Sequence, residues 1–325
     1  MTAPVLEIHL SDADAAEALR RDARAGLSAD PKWLPPRWFY DARGSELFEQ
    51  ITMLPEYYPT RTERELLRRT VARIADLAAA DTLVELGSGS SEKTRLLLDA
   101  LTAKSTLRRF VPLDVSESAL RGAMAAVAKE YPGLPVHGVV GDFTQHLELL
   151  PTAERGRRLI AFLGGTIGNL VPEERADFFT ALHAALQPGE LLLLGAGLVT
   201  NPAVMVPAYD DAARITAEFN LNVLHVLNRE LGADFDVTAF DHIAVWDVEH
   251  EWIEMRLRAR RAMTVRLPGV GMTVHYADGE EMRTEVSSKF RREGLEAELV
   301  YAGFMDQKWW TDPDDRFALV LAAAA

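Results

Sequence analysis

The sequence predicts an α/β fold built on a doubly wound parallel sheet, and three observations favour this class. Between residues 82 and 195, short apolar runs alternate with segments of helical periodicity. The first of these runs ends in two glycines spaced one residue apart and is followed by a helical pattern. The C-terminal pattern of helix, strand, turn and strand indicates an antiparallel hairpin that closes the sheet.

The N-terminal part of the chain is predicted to be helical with one extended interruption. Residues 11–25 and 45–54 have helical spacing, and a long helix is predicted from Thr60 or Thr62 to about residue 80. Residues 31–41 contain three prolines and a run of aromatic side chains, which favours an extended segment. These aromatic residues either cover a ligand or anchor the N-terminal arm, and the residues alone favour anchoring.

The alternating part of the chain supplies the parallel sheet. Strands are predicted at 82–86, 109–113, 136–140, 158–163 and 190–195. Helices predicted at 92–103, 116–130 and 172–186 separate most of them. In such sheets the ligand binds beyond the carboxyl ends of the strands, so the residues at those ends are the candidates for a site.

Three of these strand ends carry an acid, namely Glu85, Asp114 and Asp142. Asp114 is placed to accept both hydroxyls of a ribose, and Asp142 to accept an adenine amine with Phe143 beside the ring. A helix N-cap explains each acid taken singly, but three acids with a glycine turn favour nucleoside binding. Lys93 is expected in the first turn of the next helix, where a cation opposes the helix dipole and a ligand carboxylate would compensate its charge.

The glycine turn also distinguishes between classes of nucleotide. A dinucleotide fingerprint has a third glycine three residues after the second, and Glu92 occupies that position here. A carboxylate there disfavours a pyrophosphate, and hence a nicotinamide oxidoreductase. Glu85 followed by Gly87 and Gly89 resembles instead the first motif of S-adenosylmethionine-dependent methyltransferases, although this motif alone equally fits a structural strand-to-helix turn.

The alternation stops after the fifth strand. Residues 201–231 are predicted to be helical, and 253–267 and 271–276 to be antiparallel strands around a Pro268-Gly269 turn. The core pattern then resumes with a helix at 293–302 and strands at 303–310 and 316–323. We therefore expect residues 62–197 and 289–325 to form one domain. An inserted α+β domain is expected to combine residues 1–61 and 198–288.

Composition limits the partners and chemistry of the chain. A net charge of −14 over 325 residues disfavours nucleic acid as a partner. The absence of cysteine excludes disulfides and thiolate catalysis, and the eight histidines lack ligand spacing, so no metal site is predicted. The sequence shows neither a signal peptide nor a membrane-spanning run. A cytoplasmic monomer that acts on a small molecule is expected.

Four segments closely resemble the histidine N-α-methyltransferases of ergothioneine biosynthesis. They are 55–63 (PEYYPTRTE), 85–89 (ELGSG), 168–170 (GNL) and 280–290 (EEMRTEVSSKF). The resemblance extends from about residue 15 to 321. It implies a class I, Rossmann-like methyltransferase fold and trimethylation of the α-amine of L-histidine to hercynine. S-adenosylmethionine is the implied methyl donor, and no metal is needed.

The resemblance also implies which residues form the site. Contacts to S-adenosylmethionine are implied for Gly87, Lys93, Asp114, Asp142 and Phe143. Contacts to histidine are implied for Tyr57, Asn169, Tyr209, Glu285 and Ser287, with Met255 lining the ring pocket and Tyr40, the expected catalytic residue, near the amine. The residue types suit these roles, because Glu285 can accept an imidazole N–H while Ser287 and Tyr57 serve the other ring nitrogen. Asn169 and Tyr209 suit the substrate carboxylate.

The chain departs from the family pattern at one place. An Asp and a Lys are expected after the fifth strand, where this sequence has Gly197 and Thr200. The change affects the electrostatics near the donor more than the reaction type. Two alternatives remain beside histidine methylation: an N-methyltransferase of another amino acid such as tryptophan, and a non-catalytic S-adenosylmethionine-binding protein.

Overall fold

The computed structural model describes residues 4–89, 91–153 and 155–325. The chain forms two compact units. The first contains residues 4–10 together with Pro59–Val199 and Lys289–Ala325. The second contains Ser11–Tyr58 and Thr200–Ser288. None of the helices in these described ranges is long and apolar enough to cross a membrane.

The helices and strands are numbered in chain order. The strands are β1 Val5–Ile8, β2 Lys32–Trp33, β3 Thr82–Leu86, β4 Arg109–Asp114, β5 His137–Val140, β6 Arg158–Phe162, β7 Leu191–Gly197, β8 Phe240–Asp247, β9 Trp252–Ala259, β10 Met263–Leu267, β11 Met272–Tyr276, β12 Glu281–Ser288, β13 Phe304–Thr311 and β14 Phe317–Ala324. The α-helices are α1 Asp12–Ser28, α2 Ala42–Met53, α3 Tyr58–Ala78, α4 Arg95–Ala103, α5 Glu117–Glu130, α6 Pro172–Ala184, α7 Pro202–Met205, α8 Ile215–Leu231 and α9 Arg292–Tyr301.

The first unit is built on an eight-stranded sheet of order β1-β5-β4-β3-β6-β7-β14-β13. From β3 the chain winds outward through β4 and β5 on one side, and through β6 and β7 on the other, always in parallel. Strands β14 and β13 add an antiparallel hairpin beside β7. The predicted doubly wound sheet with a closing hairpin is therefore confirmed, and its topological switch point lies at β3.

Helices cover both faces of this sheet, which is why its strands are apolar on both sides. Successive residues of a strand point to opposite faces. Leu83 packs in a cluster with side chains of α3, α4 and α5, whereas Val84 packs in a second cluster with side chains of α6 and α9. Every residue of β3 and of β6 is buried. This arrangement fixes the carboxyl ends of the parallel strands along one edge of the sheet.

The expected domain that combines residues 1–61 and 198–288 is wrong at its ends. Strand β1 pairs in parallel with β5 at the edge of the large sheet, so residues 5–8 belong to the first unit, as do residues 59–61 and 198–199. The Val5 N–H donates to the Val136 carbonyl at 3.0 Å, and the His9 N–H donates to the Val140 carbonyl at 2.9 Å. This backbone pairing covers the edge of β5. It could not be predicted from the pattern of side chains.

The second unit contains a four-stranded sheet of order β2-β12-β9-β8 and the separate hairpin β10–β11. Its core includes side chains of α1, α2 and α8 packed with residues of β9 and β11. The predicted continuous strand 253–267 is wrong, because β9 ends at Ala259 and β10 starts at Met263. The Arg260 N–H bonds to the Ala239 carbonyl at 2.9 Å, which turns the chain out of the β9 pairing.

The proline-rich segment 31–41 is anchored within the second unit. It contains β2 and a 3₁₀ turn, Pro36–Phe39. The Asp22 carboxylate of α1 accepts from the Arg37 guanidinium at 2.6 Å and from the Trp38 indole N–H at 2.8 Å. Phe39 is fully buried. The anchoring interpretation therefore holds for Trp38 and Phe39.

Candidate active site

The glycine turn after β3 holds the Asp114 carboxylate through its backbone. Gly87 and Gly89 have φ angles of 67° and 48°, in the left-handed region that favours glycine. Asp114 accepts from the Gly89 N–H at 2.8 Å and from the Ser116 N–H at 2.9 Å. Burial raises the pKa of this carboxyl, although these two donors lower it. The Ser116 hydroxyl caps α5, so the helix-cap explanation of Asp114 is wrong.

The same turn leaves room for a ligand. A Cβ atom built at Gly87 or at Gly89 would meet no atom within 4 Å. The Ser88 hydroxyl is buried and has no hydrogen-bond partner in the described part of the chain. An open backbone beside an unpaired polar atom fits a polar ligand lying against the turn. Both features suit the S-adenosylmethionine that the sequence leads us to expect.

Glu85 forms hydrogen bonds with residues that follow the glycine turn. Its buried carboxyl accepts from the Ser91 hydroxyl at 2.7 Å and from the Thr94 hydroxyl. Burial raises the pKa of Glu85 to about 7, with the two hydroxyl donors opposing the rise. The carboxyl therefore orders the loop between β3 and α4, a role that the nucleoside-binding interpretation did not anticipate.

Lys93 forms an ion pair with Glu63, a fully buried residue of α3. The other Glu63 oxygen accepts from the Gly164 N–H at 2.7 Å, just beyond β6. Lys93 precedes α4, which starts at Arg95, so its predicted place in the first helical turn is wrong. Sequence reasoning missed Glu63. Its spacing from Leu66 and Leu67, which places all three on the buried side of α3, was the available signal.

The other strand ends of the first unit carry the remaining predicted residues. Asp142 follows β5 and accepts from the Thr144 N–H at 2.8 Å and the Thr144 hydroxyl at 2.6 Å. The Phe143 ring lies 5.0 Å from the Phe162 ring, between centroids, and so packs against the sheet. Asn169 ends the 3₁₀ turn Thr166–Asn169 after β6. Asn169 thus belongs to the first unit, whereas the other predicted histidine contacts belong to the second.

Beyond β7, Lys289 accompanies the departure from the family pattern. A Cβ atom built at Gly197 would lie 3.4 Å from Lys289 Cδ and 3.7 Å from its Nζ. Lys289 is buried. The side chain of Lys289 therefore fills the space beside position 197, where the resemblance led us to expect an acid.

In the second unit, β12 and β9 bring three predicted residues together. Glu285 and Ser287 are two residues apart on β12 and so point to the same face. Met255 of β9 is the register partner of Glu285. The Tyr209 and Ser287 hydroxyls are 2.8 Å apart. Burial raises the pKa of Tyr209, so its hydroxyl stays protonated at neutral pH.

A chain of aromatic rings connects the remaining predicted residues of this unit. The Tyr40 ring lies 5.6 Å from Phe48, Phe48 lies 6.2 Å from Tyr57, and Tyr57 lies 6.2 Å from Tyr209, all edge-to-face. Phe219 of α8 lies 5.3 Å from Tyr40. Phe48 and Phe219 were not predicted, because an aromatic residue on a helical pattern is ordinarily core. The structure thus groups Tyr40, Tyr57 and Tyr209 through residues that the sequence does not single out.

The comparisons with known proteins decide the family. The sequence profile of the histidine-specific, SAM-dependent methyltransferases matches residues 19–324. The chain belongs to this family. It is 58% identical to the histidine N-α-methyltransferase of Mycolicibacterium smegmatis and 55% identical to that of Mycobacterium tuberculosis. Each alignment covers 97% of this chain, and 97% and 98% of the relative. Ergothioneine biosynthesis protein 1 of Neurospora crassa is 31% identical over 86% of this chain, which spans 32% of that protein.

Among the described residues, no group of three or more His, Cys, Asp or Glu side chains is placed to hold a metal ion. The predicted site consists of hydroxyl, carboxylate, amide and aromatic groups. Such groups bind and orient a small polar substrate.

Proposed function

We propose that this protein trimethylates the α-amino group of L-histidine to hercynine, a step of ergothioneine biosynthesis. The observation that carries the proposal is the polar group Glu285, Ser287 and Tyr209 in a chain that belongs to the histidine-specific methyltransferases. We assign donor binding to residues of the first unit and histidine binding to residues of the second, and the family resemblance adds Asn169 to the histidine contacts.

In the first unit, five residues would hold the donor: Gly87, Lys93, Asp114, Asp142 and Phe143. When bound, S-adenosylmethionine supplies an electrophilic methyl carbon. Asp114 has two of its acceptor positions filled by backbone N–H groups and retains others for ribose hydroxyls. Glu63 orients Lys93 toward the same edge of the sheet, where Lys93 would bind the donor carboxylate.

In the second unit, Glu285 would accept an imidazole N–H, with Met255 against the ring. The Tyr209 and Ser287 hydroxyls lie 2.8 Å apart, so the two groups would act on the substrate together. Tyr57 would serve the second ring nitrogen. Tyr209, together with Asn169, would bind the carboxylate as a neutral donor.

Methyl transfer requires a neutral amine whose lone pair is aligned with the reacting carbon. We assign this alignment to Tyr40, whose hydroxyl would accept a hydrogen bond from the amine and pass its released proton to water. The Tyr40 ring is flanked by Phe48 and Phe219. Aromatic faces attract an ammonium whose charge is spread over methyl groups, so they suit an amine that becomes permanently cationic.

The test is incubation of the purified protein with S-adenosylmethionine and each of the twenty amino acids in turn, followed by mass spectrometry. The expected result is histidine that carries three added methyl groups. Methylation of tryptophan in preference to histidine would assign the protein to a related substrate. Binding of S-adenosylmethionine without any methyl transfer would indicate a non-catalytic protein.

A further inference from the structure

A buried polar network lies in the core of the second unit, behind the residues assigned to the substrate. It consists of Asn220 on α8, His242 on β8 and Thr284 on β12, whose exposures are 0%, 4% and 0%. The surrounding core cluster is apolar. Polar groups in such a place destabilise the fold unless each finds a hydrogen-bond partner.

The partners of these groups define one arrangement of protons. His242 Nε2 lies 2.8 Å from the Tyr209 carbonyl oxygen, which can only accept, so Nε2 carries the proton. Asn220 Nδ2 lies 2.8 Å from His242 Nδ1 and 3.2 Å from the Arg256 carbonyl oxygen. The carbonyl fixes the amide orientation, since a flipped amide would set two oxygens against each other. His242 Nδ1 is therefore an acceptor, and the ring is neutral.

The network continues from Asn220 to β12. The Thr284 hydroxyl donates to Asn220 Oδ1 at 2.6 Å and lies 3.0 Å from the Met255 carbonyl oxygen. The pairing of β12 with β9 shifts register between Arg283 and Glu285, so the backbone ladder is interrupted at this point. Side-chain hydrogen bonds at Thr284 hold the strand where the ladder does not.

The two ends of the network thus contact or adjoin residues that we assign to substrate binding. One end bonds to the backbone of Tyr209, and the other end is the residue next to Glu285. We propose that Asn220, His242 and Thr284 are positioning residues that fix Tyr209 and Glu285 in the geometry that binds histidine. This inference rests on the proposed function, because it assigns the network to the same substrate.

The environment of His242 supports the neutral ring. Burial lowers its pKa, while the Tyr209 carbonyl and Asp210 and Asp211 oppose the shift and Arg214 adds to it. The nearest of these charges, on Asp210, lies 3.8 Å from Nε2. A protonated ring would direct an Nδ1–H at the donor nitrogen of Asn220. The network is therefore intact above the ordinary histidine pKa of about 6.5 and is lost as the pH falls through the lower folded value.

Two substitutions separate the two ends of the network. His242→Asn places an amide oxygen near the position of Nδ1, which keeps the acceptor for Asn220 but removes the donor to Tyr209. His242→Gln places an amide nitrogen near Nε2, which keeps that donor and removes the acceptor. Each should raise the KM for histidine about tenfold, the effect of losing one hydrogen bond. The KM for S-adenosylmethionine should stay within about twofold. The exposed His225 on α8 provides the control His225→Asn, which should change neither.

Two substitutions at Thr284 distinguish a positioning role from a packing role. Thr284→Val keeps the shape and loses the hydroxyl, whereas Thr284→Ser keeps the hydroxyl and loses a methyl group. We expect Val to raise the KM for histidine and Ser to restore it nearly to the wild-type value. The reverse order, or an unchanged KM in all four variants, would overturn the inference. If the His242 variants do not fold, the Thr284 pair decides alone.

The outcome also separates this inference from the proposed function. If the wild-type protein methylates histidine but the variants keep its KM, only the network assignment fails. If the wild-type protein transfers no methyl group to histidine, the proposed function fails and the inference with it. Nitrogen chemical shifts of the His242 ring give an independent check, because they should report a neutral Nε2–H form.

Discussion

Glu63 connects the Lys93 ammonium to the backbone of Gly164, so that two loops at the edge of the large sheet share one buried carboxylate. One oxygen pairs with Lys93 and the other accepts the Gly164 N–H at 2.7 Å. No room remains at Gly195 for a side chain beside this carboxylate. A residue of α3 therefore joins the segments that follow β3 and β6, and it lies against Gly195 of β7.

Glu63→Ala should lower the free energy of unfolding by about 3 kcal/mol, because it leaves a partly buried ammonium and a backbone N–H without their partner. Chemical denaturation in the absence of ligand measures this loss. Glu65 provides the control, since it is exposed on the same helix and pairs with the exposed Arg68 at 3.8 Å. Glu65→Ala should change the free energy by no more than about 0.5 kcal/mol. Equal effects of the two substitutions would contradict a structural role for the Glu63 pair.

The sheet could be predicted from the sequence because its strands are buried on both faces. Leu191–Gly197 is a continuous apolar run, and such runs between glycine turns predict parallel strands. Strand β12 could not be predicted in this way, since it carries Glu281, Arg283, Glu285, Ser287 and Ser288, of which the last three are buried. Hydrophobic periodicity does not detect polar groups that are buried because they pair with one another.

The residues of the candidate site likewise divide into those that the sequence predicts and those that it does not. Strand-end residues such as Asp114 follow from topology, because parallel strands end at one edge. Glu63 does not, since its partners lie 30 and 101 residues away in the chain. The role of His242 could not be predicted from the sequence either, because a single histidine on a strand has many explanations. The substrate residues came from resemblance to a family, and their roles stay predictions.

Asp114→Ala should weaken the binding of S-adenosylmethionine by about 1–3 kcal/mol, the loss typical of a charge-assisted hydrogen bond. The carboxylate also accepts from the Gly89 N–H, so the substitution should loosen the glycine turn as well as remove the proposed ribose contact. Titration calorimetry measures the affinity. Glu117→Gln on the exposed side of α5, where Glu117 pairs with Arg121, is the control and should leave the affinity unchanged. An unchanged affinity in a folded Asp114→Ala protein would remove Asp114 from the donor site.

Glu85→Gln should make the protein more stable than the wild type at neutral and alkaline pH. Burial raises the pKa of Glu85 from 4.5 to about 7. As the pH rises above 4.5 the unfolded chain ionises first, so the stability contributed by the protonated carboxyl is lost progressively until about pH 7. Glutamine resembles the protonated form and escapes this loss.

The difference in unfolding free energy between Glu85→Gln and wild type should therefore grow by about 3 kcal/mol between pH 4.5 and pH 8. Denaturation curves at several pH values measure it. Glu92→Gln, at an exposed position of the same loop, should show no such growth. A difference that stays constant with pH would mean that the pKa of Glu85 is not raised in the folded protein.

The last prediction concerns the choice between histidine and other amino acids. Glu285 and Met255 face each other across β12 and β9, so together they form one wall of the proposed imidazole pocket. Glu285→Ala with Met255→Val removes the acceptor for a ring N–H and shortens the side chain that packs against the ring. A pocket that hydrogen-bonds a ring N–H rejects analogues that lack it, because its own polar groups then remain unpaired. The double variant should therefore lose kcat/KM for histidine, and tryptophan should gain relative to it.

The ratio of kcat/KM for histidine to that for tryptophan, in wild type and double variant, measures this change directly. We expect the ratio to fall at least about tenfold, the effect of one lost hydrogen bond of ordinary strength. The affinity for S-adenosylmethionine should change little, because the proposed donor contacts are residues of the other unit. Met255→Val alone is the matched control for the change in volume, and it should retain the preference for histidine. An unchanged ratio in the double variant would mean that residues other than Glu285 recognise the imidazole.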